Sequence, residues 1–137
     1  QDAGGNMAGA HEKFVGALGT AAIKVCGLEM GRTGMSEKDA ARLGIDYSTK
    51  LVTANDHPAY YPDPTKLVIK LIYETRTRRL LGACAAGEKG AVMRADIFAV
   101  AIHAGMTTDE LGMVDLAYAP PFAGVWDAVH IAANAAK

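Results

Sequence analysis

The chain has 137 residues, enough for one domain with its own core, because a chain of this size buries roughly two thirds of its unfolded surface. Half of the residues are apolar, 21% are charged and the formal net charge is −1, so the composition gives no reason to expect a nucleic acid or an anionic membrane as partner. No apolar run approaches the ~20 residues that span a bilayer, and the first residues lack the apolar segment of a signal peptide.

The first 17 residues are small, polar and rich in glycine, which is typical of an arm or a connection. The chain also begins without a methionine, and we expect it to be a fragment of a longer protein. The domain itself is therefore assigned to residues 18–137.

Partial alternation of apolar residues over 20–34 predicts two short strands that separate near Gly27. Ser36 is a good N-cap and opens a predicted short helix over residues 37–43. In residues 46–56, β-branched and aromatic residues recur at every second position, which predicts a strand.

The middle of the chain predicts an antiparallel hairpin preceded by an ordered loop. The loop is "HPAYYPDP", residues 57–64, with three prolines in eight residues. Two strand-like runs follow, "KLVIKLIYE" and "LLGACAAG", and "TRTRR" turns the chain between them. We interpret the arginines of this turn as a solvated hairpin tip rather than a phosphate site.

The last third of the chain is predicted to be helical. Residues 88–105 carry apolar side chains nearly all round, so we expect much of this helix to be buried. Thr107 or Thr108 is expected to cap a short helical turn, and residues 125–137 form the last helix. Because strands and helices do not alternate, the predicted class is α+β, an antiparallel sheet with helices packed on one face.

Two cysteines, Cys26 and Cys84, lie far apart in apolar, strand-like runs. They form no C-x-x-C motif, and the four histidines show no metal-ligand spacing with them. We interpret them as two small buried thiols rather than a disulfide or a nucleophile. Such use of cysteine fits a reducing compartment, so we expect a cytoplasmic protein.

Motifs for complete active sites are absent from the sequence: there is no G-x-G-x-x-G after a strand, no P-loop and no G-x-S-x-G. His103 is expected to cap helix carbonyls, and His57 is the better candidate for a function. Asp127 and His130 are spaced as a helical surface contact. The residues alone therefore predict a small α+β domain without a complete active site, with no metal or cofactor of its own.

The stretch "LAYAPPF" holds a tyrosine, Tyr118, beside two consecutive prolines. A proline fixes φ near −65° and restricts the residue before it, so the segment from Ala119 to Pro121 is expected to be stiff and extended. Two interpretations remain: a core tyrosine bonded to a backbone carbonyl, or a phenol directed outside its own domain.

Five successive stretches resemble a known family. The resemblance runs from about Asn6 to Ala136, and it rests on "NMAG", "FVGALGTAAIKVCGLEMGRTGMSEKDA", "HPAYYPDPTKLVIKLIYE", "LLGACAAGEKGAVMRADIFAVAI" and "LGMVDLAYAPPFAGVWDAVHIAANAA". They resemble the C-terminal dimerisation domain of the pyridine nucleotide-disulfide oxidoreductases, most closely in the coenzyme A-disulfide reductase, NADH oxidase and persulfide reductase branch.

The resemblance implies a homodimeric parent with an FAD domain, which residues 1–17 would connect to this domain, and an NAD(P)H domain. It also implies that two tyrosines reach the partner subunit's active site, where a coenzyme A-type disulfide or a persulfide is reduced. Tyr118 matches one of them, and Tyr60, with Tyr61 as the alternative, matches the other. No histidine here stands in the catalytic motif of the glutathione reductase branch.

The residues after Phe122 read "AGVWD" and depart from the family's more usual pattern, which leaves the electron acceptor open. A second class of function also stays open at this point: a stand-alone homodimeric binding or scaffolding module without redox activity.

Overall fold

The computed structural model describes residues 2–11, 13–14 and 16–137. Along the chain the elements are α1 (Asp2–Met7), β1 (Ala21–Val25), β2 (Leu28–Gly34), α2 (Glu37–Arg42), β3 (Tyr47–Asn55), β4 (Lys66–Glu74), β5 (Leu80–Gly87), α3 (Ala91–His103), α4 (Thr108–Leu111) and α5 (Ala128–Ala135). The predicted arm over residues 1–17 contains α1, while its residues 1, 12 and 15 lie outside the described part.

The predicted α+β class is confirmed. Within the described residues, five strands form one antiparallel sheet in the order β1-β2-β5-β4-β3. The helices α3 and α5 pack on one face of this sheet, α3 against β2 and β5 and α5 against β3 and β4. Alternate residues of β4 point into this layer and are buried, namely Leu67, Ile69, Leu71 and Tyr73. They meet Phe98 of α3 and Val129 of α5 in the core.

Local signals predicted most of the element boundaries correctly. The chain turns between β1 and β2 at Cys26 and Gly27, whose φ angles are 50° and 81°, as a two-residue hairpin turn requires. Ser36 and Thr107 each form a capping box at the start of α2 and α4. The predicted β4–β5 hairpin is also present, with register Ile69 opposite Ala85.

The prediction that both cysteines are buried is wrong, since Cys26 and Cys84 are exposed and free. Cys26 lies in the β1–β2 turn, outside the packed layers. Cys84 alternates with the buried Ala83 and Ala85 and therefore points to the face of the sheet opposite α3 and α5. The apolar run around Cys84 indicated the strand correctly but not which of its two faces is covered.

The expectation that much of α3 is buried holds along one stripe of the helix only. Helix α3 is shorter than the predicted range, and Met93 and Val100 are each 68% exposed. A helix that lies on one face of a sheet buries one stripe of side chains, which here consists of Ala91, Arg94, Ala95, Phe98 and Ala101. Arg94 is the charged member of this stripe, and its partners are described with the site below.

Strand β5 passes so close to the segment before α2 that one of its positions has no room for a side chain. A Cβ atom added at Gly82 would lie 2.0 Å from the carbonyl oxygen of Met35. We predict that Gly82→Ala lowers the free energy of unfolding by roughly 3 kcal/mol, the upper end of overpacking costs. Urea unfolding measures this loss.

Gly4→Ala is the matched control, because nothing lies within 4 Å of a Cβ atom at Gly4. We expect this control to keep the wild-type free energy of unfolding. Wild-type stability in Gly82→Ala would show that the close approach of Met35 is not a constraint on the fold.

Candidate functional site

Two loops bring two predicted site residues together at the surface. Tyr60 lies in the loop between β3 and β4, and Tyr118 lies in the segment that precedes α5. Their phenol oxygens are 3.2 Å apart and hydrogen-bonded, although the residues are 58 positions apart in sequence. The exposed fractions of Tyr60 and Tyr118 are 73% and 49%, so neither ring is part of the core.

The loop that carries Tyr60 is fixed at its base by Asp56. One carboxylate oxygen of Asp56 accepts hydrogen bonds from the backbone N–H groups of His57, at 3.0 Å, and Thr65, at 2.7 Å. The His57 ring also bridges the loop, with Nδ1 3.0 Å from Asp56 Oδ1 and Nε2 3.0 Å from the carbonyl oxygen of Pro62. His57, the histidine favoured by the sequence for a function, is thus buried and engaged at both ring nitrogens.

Tyr61 takes a different position from its neighbour in the same loop. Its ring meets the His57 ring edge-on, with centroids 5.6 Å apart and an interplanar angle of 80°. Tyr61 is 38% exposed and supports the base of the loop. Of the two adjacent tyrosines, the one hydrogen-bonded to Tyr118 is Tyr60.

The segment that carries Tyr118 makes a tight turn through its two prolines, so the expectation that residues 119–121 are extended is wrong. The backbone N–H groups of Phe122 and Ala123 donate to the carbonyl oxygen of Ala119, at 2.9 and 3.0 Å. Because proline fixes φ, this turn has little freedom to rearrange. Tyr118 directly precedes this turn.

His130 joins the two ends of the same segment. Its Nδ1 accepts a hydrogen bond from the backbone N–H of Asp127 at 3.0 Å, so Nε2 carries the proton and donates to the carbonyl oxygen of Val114 at 2.8 Å. Asp127 is the N-cap of α5. Asp127 and His130 are both buried, so the prediction that they form a surface contact is wrong. The pair lies at the start of the helix, where a capping box replaces the exposed helical pair that the spacing indicated.

Arg94 of α3 connects the two loops. Its Nε and Nη2 donate to the two carboxylate oxygens of Asp127, at 3.0 and 2.6 Å, and Nη2 also donates to the carbonyl oxygen of Asp56 at 2.8 Å. Arg94 is only 6% exposed. The sequence analysis did not single out Arg94, although an arginine on the apolar stripe of a helix is a recognisable signal of a buried partner.

The hydrogen bond between the phenols also changes the acidity of Tyr60. The hydrogen bond to Tyr118 raises the pKa of Tyr60 above its ordinary value, with smaller contributions from desolvation and from the charge of Tyr118. Either hydroxyl can donate the proton of this bond. The bond uses one of the two hydroxyl protons, and the other is not engaged in it.

A shallow groove of about 380 Å³ lies beside the phenols and is lined by residues that include both tyrosines, His57, Trp126 and Ile131. Val125 and Trp126 of this lining are more than half exposed, and so is Phe122, three residues before Val125 in the chain. Among residues 2–11, 13–14 and 16–137 no group of three His, Cys, Asp or Glu side chains is placed to hold a metal ion. No helix in the same part of the chain is long and apolar enough to cross a membrane.

The geometry thus defines an α+β domain that presents a pair of ordered phenols at its surface. The family model of the pyridine nucleotide-disulphide oxidoreductase dimerisation domain matches residues 20–129. The chain belongs to this family, and the resemblance seen in the sequence is confirmed.

Two relatives and one solved structure that are similar to this chain indicate its branch of the family. The NAD(P)H sulfur oxidoreductase (CoA-dependent) of Pyrococcus furiosus is 42% identical over 135 residues, which cover 98% of this chain and 30% of that protein. The coenzyme A disulfide reductase of Staphylococcus aureus is 31% identical over 125 residues, 91% of this chain and 28% of that protein. A solved NAD-dependent persulfide reductase from A. fulgidus aligns with a TM-score of 0.91 at 37% identity, over 96% of this chain and 24% of that one. This chain therefore spans less than a third of the length of these relatives.

The base of the Tyr60 loop should be sensitive to acid. Burial by itself raises the pKa of Asp56, but the hydrogen bonds from Thr65 and His57 outweigh burial and hold the pKa below its ordinary value. The stabilisation from the charged carboxylate is therefore present above about pH 4, the ordinary aspartate pKa, and is lost as the pH falls further through the folded-state value. We predict that Asp56→Asn loses about 1–3 kcal/mol of unfolding free energy at pH 7.

The difference in the free energy of unfolding between Asp56→Asn and wild type should shrink as the pH falls below about 4. Urea unfolding followed by Trp126 fluorescence at several pH values measures it, with the exposed Asp96→Asn as control. A difference that stays constant down to the lowest pH would mean that the charge of Asp56 does not hold this loop.

Proposed function

We propose that this chain is the dimerisation domain of a larger FAD- and NAD(P)H-dependent disulfide oxidoreductase that acts as a homodimer. In this proposal residues 1–17 connect it to the FAD domain, and the isolated chain is not a complete enzyme. Tyr118 and Tyr60 enter the partner subunit's active site, where a coenzyme A-type disulfide or a persulfide is reduced. The names of the relatives from Pyrococcus furiosus and Staphylococcus aureus, a CoA-dependent sulfur oxidoreductase and a coenzyme A disulfide reductase, support this class of substrate.

The observation that carries the proposal is the hydrogen-bonded phenol pair on two braced loops. A buried tyrosine bonded to its own backbone would have favoured a structural role, but the hydroxyls of Tyr60 and Tyr118 meet each other at an exposed surface. A polar pair held in this way outside the core is positioned for a group that arrives from another domain.

The chemistry of the phenols fits disulfide cleavage. When a thiolate attacks a disulfide, the S–S bond breaks and the departing sulfur leaves as a second thiolate. A phenol beside that sulfur can donate a hydrogen bond to it or protonate it as a general acid. In the arrangement that the proposal uses, Tyr60 donates to Tyr118, so the outward proton belongs to Tyr118, and the bond that Tyr118 accepts strengthens it as a donor.

The surface around the phenols fits a subunit contact. Val125 and Trp126 of the groove lining and Phe122 of the Pro-Pro segment are exposed apolar side chains, and exposed apolar patches mark interaction sites. The last helix and the Pro-Pro segment are the two candidates for the contact. Helix α5 buries Ala128, Val129 and Ala132 in the core of this domain, so these side chains cannot contact a partner. The Pro-Pro segment is therefore the stronger candidate.

Substitution of the phenols in the full-length protein tests the proposal. We predict that Tyr118→Phe retains the fold, flavin and dimer but lowers disulfide turnover by about 10²-fold, as removal of a general acid does. Tyr60→Phe should have a smaller effect alone, and a larger one in combination with Tyr118→Phe.

Tyr73→Phe is the matched control, because Tyr73 is a buried core tyrosine. We expect this substitution to leave turnover unchanged. Unchanged turnover in the double Tyr60→Phe, Tyr118→Phe variant would refute a catalytic role. A full-length protein without flavin would favour the alternative of a stand-alone scaffolding module.

A further inference from the structure

We infer that Arg94 is the positioning residue of the phenol site: one guanidinium on α3 fixes both loops that carry Tyr60 and Tyr118 and so keeps the two hydroxyls within hydrogen-bond distance. This inference rests on the proposed function for its catalytic consequence. The structural part of the inference is that Arg94 keeps the two loops in fixed positions relative to each other. This part depends only on the contacts of Arg94.

The first connection runs to the loop of Tyr60. Arg94 Nη2 donates to the carbonyl oxygen of Asp56 at 2.8 Å, and the side chain of Asp56 in turn accepts from the backbone of His57 and Thr65. The backbone and the side chain of Asp56 are thus both held, and Tyr60 follows four residues later. Movement of Asp56 relative to α3 would therefore shift the whole loop.

The second connection runs to the segment of Tyr118. Arg94 makes two parallel hydrogen bonds to the carboxylate of Asp127, and the same carboxylate accepts from the backbone N–H of Val129 at 2.8 Å. Asp127 also donates its own N–H to His130, which anchors the other end of the segment at Val114. The anchor of the Tyr118 segment is thus tied to the same guanidinium as the Tyr60 loop.

A guanidinium suits this task better than other cationic side chains. It is planar and presents several N–H donors in fixed directions, so it can hold a carboxylate at two points while a third bond goes to a carbonyl oxygen. Arg94 makes these contacts, and a fourth from Nη1 to the carbonyl oxygen of Gly90 at 3.1 Å. A lysine ammonium cannot reproduce this planar geometry.

The experiment compares variants of the full-length protein that remove the connection but keep the fold. Arg94→Gln alone would leave Asp127 as a buried charge without its partner, which is strongly destabilising. The paired variant Arg94→Met with Asp127→Ser removes both charges and keeps a good N-cap on α5. Arg94→Lys keeps the charge but loses the planar geometry and serves as the second variant.

The control for structural damage is Thr108→Val. Thr108 is fully buried, and its hydroxyl donates to the carbonyl oxygen of Ala136, which belongs to neither tyrosine loop. We expect it to lower stability without a change in turnover. Tyr118→Phe is measured in the same assay, so that failure of the proposed function is recognised separately.

The paired variant should fold and bind flavin, yet lose turnover by about 10- to 100-fold, with the loss mainly in kcat, because small displacements of a catalytic group have effects of this size. A second readout is independent of activity: 3-fluorotyrosine at position 60, titrated by ¹⁹F NMR, should show a lower pKa in the paired variant, since the bond to Tyr118 is lost.

Each outcome decides the inference. Wild-type turnover and titration in a folded paired variant, alongside low turnover in Tyr118→Phe, would overturn the role of Arg94 and leave the proposed function intact. If Tyr118→Phe has no effect on turnover, the proposed function fails. The titration of Tyr60 alone then decides whether Arg94 holds the two loops in place relative to each other. If the paired variant does not fold, Arg94→Lys decides by the same two readouts, and wild-type values would contradict the inference.

Discussion

The buried ion pair between Arg94 and Asp127 links the fold of this domain to its surface site. Both side chains are about 8% exposed, and removal of one partner from such a pair typically costs about 3–5 kcal/mol because the other charge is left uncompensated. The pair joins α3 to the start of α5, and through the carbonyl oxygen of Asp56 it reaches the loop that follows β3. Three parts of the chain that are distant in sequence therefore meet at one guanidinium.

The sheet and helices supply the rigid frame on which this connection depends. Phe98, one turn further along α3, lies fully buried over the sheet and fixes the helix, so the guanidinium of Arg94 has a defined position. The loops then extend from the frame and place the hydroxyls of Tyr60 and Tyr118 at the surface. The core thus positions the site without containing it, in accord with the common finding that functional side chains lie on loops held by a rigid scaffold.

Features governed by local chemistry were predictable from the sequence, and features governed by tertiary partners were not. The caps at Ser36 and Thr107 and the turn at Gly27 follow from side chains and φ preferences within a few residues. The exposure of Cys84 and the burial of Arg94 depend on which face of the sheet or helix is covered, and that is decided by elements far along the chain. For the site, the resemblance led to Tyr118 and to an adjacent pair of tyrosines, and the structure shows which of the pair bonds to Tyr118.

The central claim, that the phenols serve the partner's active site, is tested most directly by subunit complementation. The resemblance implies a redox-active cysteine in the FAD domain of the full-length protein, outside this chain. One subunit carries Tyr60→Phe and Tyr118→Phe with that cysteine intact, and the other carries both tyrosines with that cysteine inactivated. The account predicts that mixed dimers regain turnover, because the intact cysteine then receives phenols from its partner, while each parent homodimer stays impaired. Mixed dimers no more active than the tyrosine-less homodimer would contradict the account.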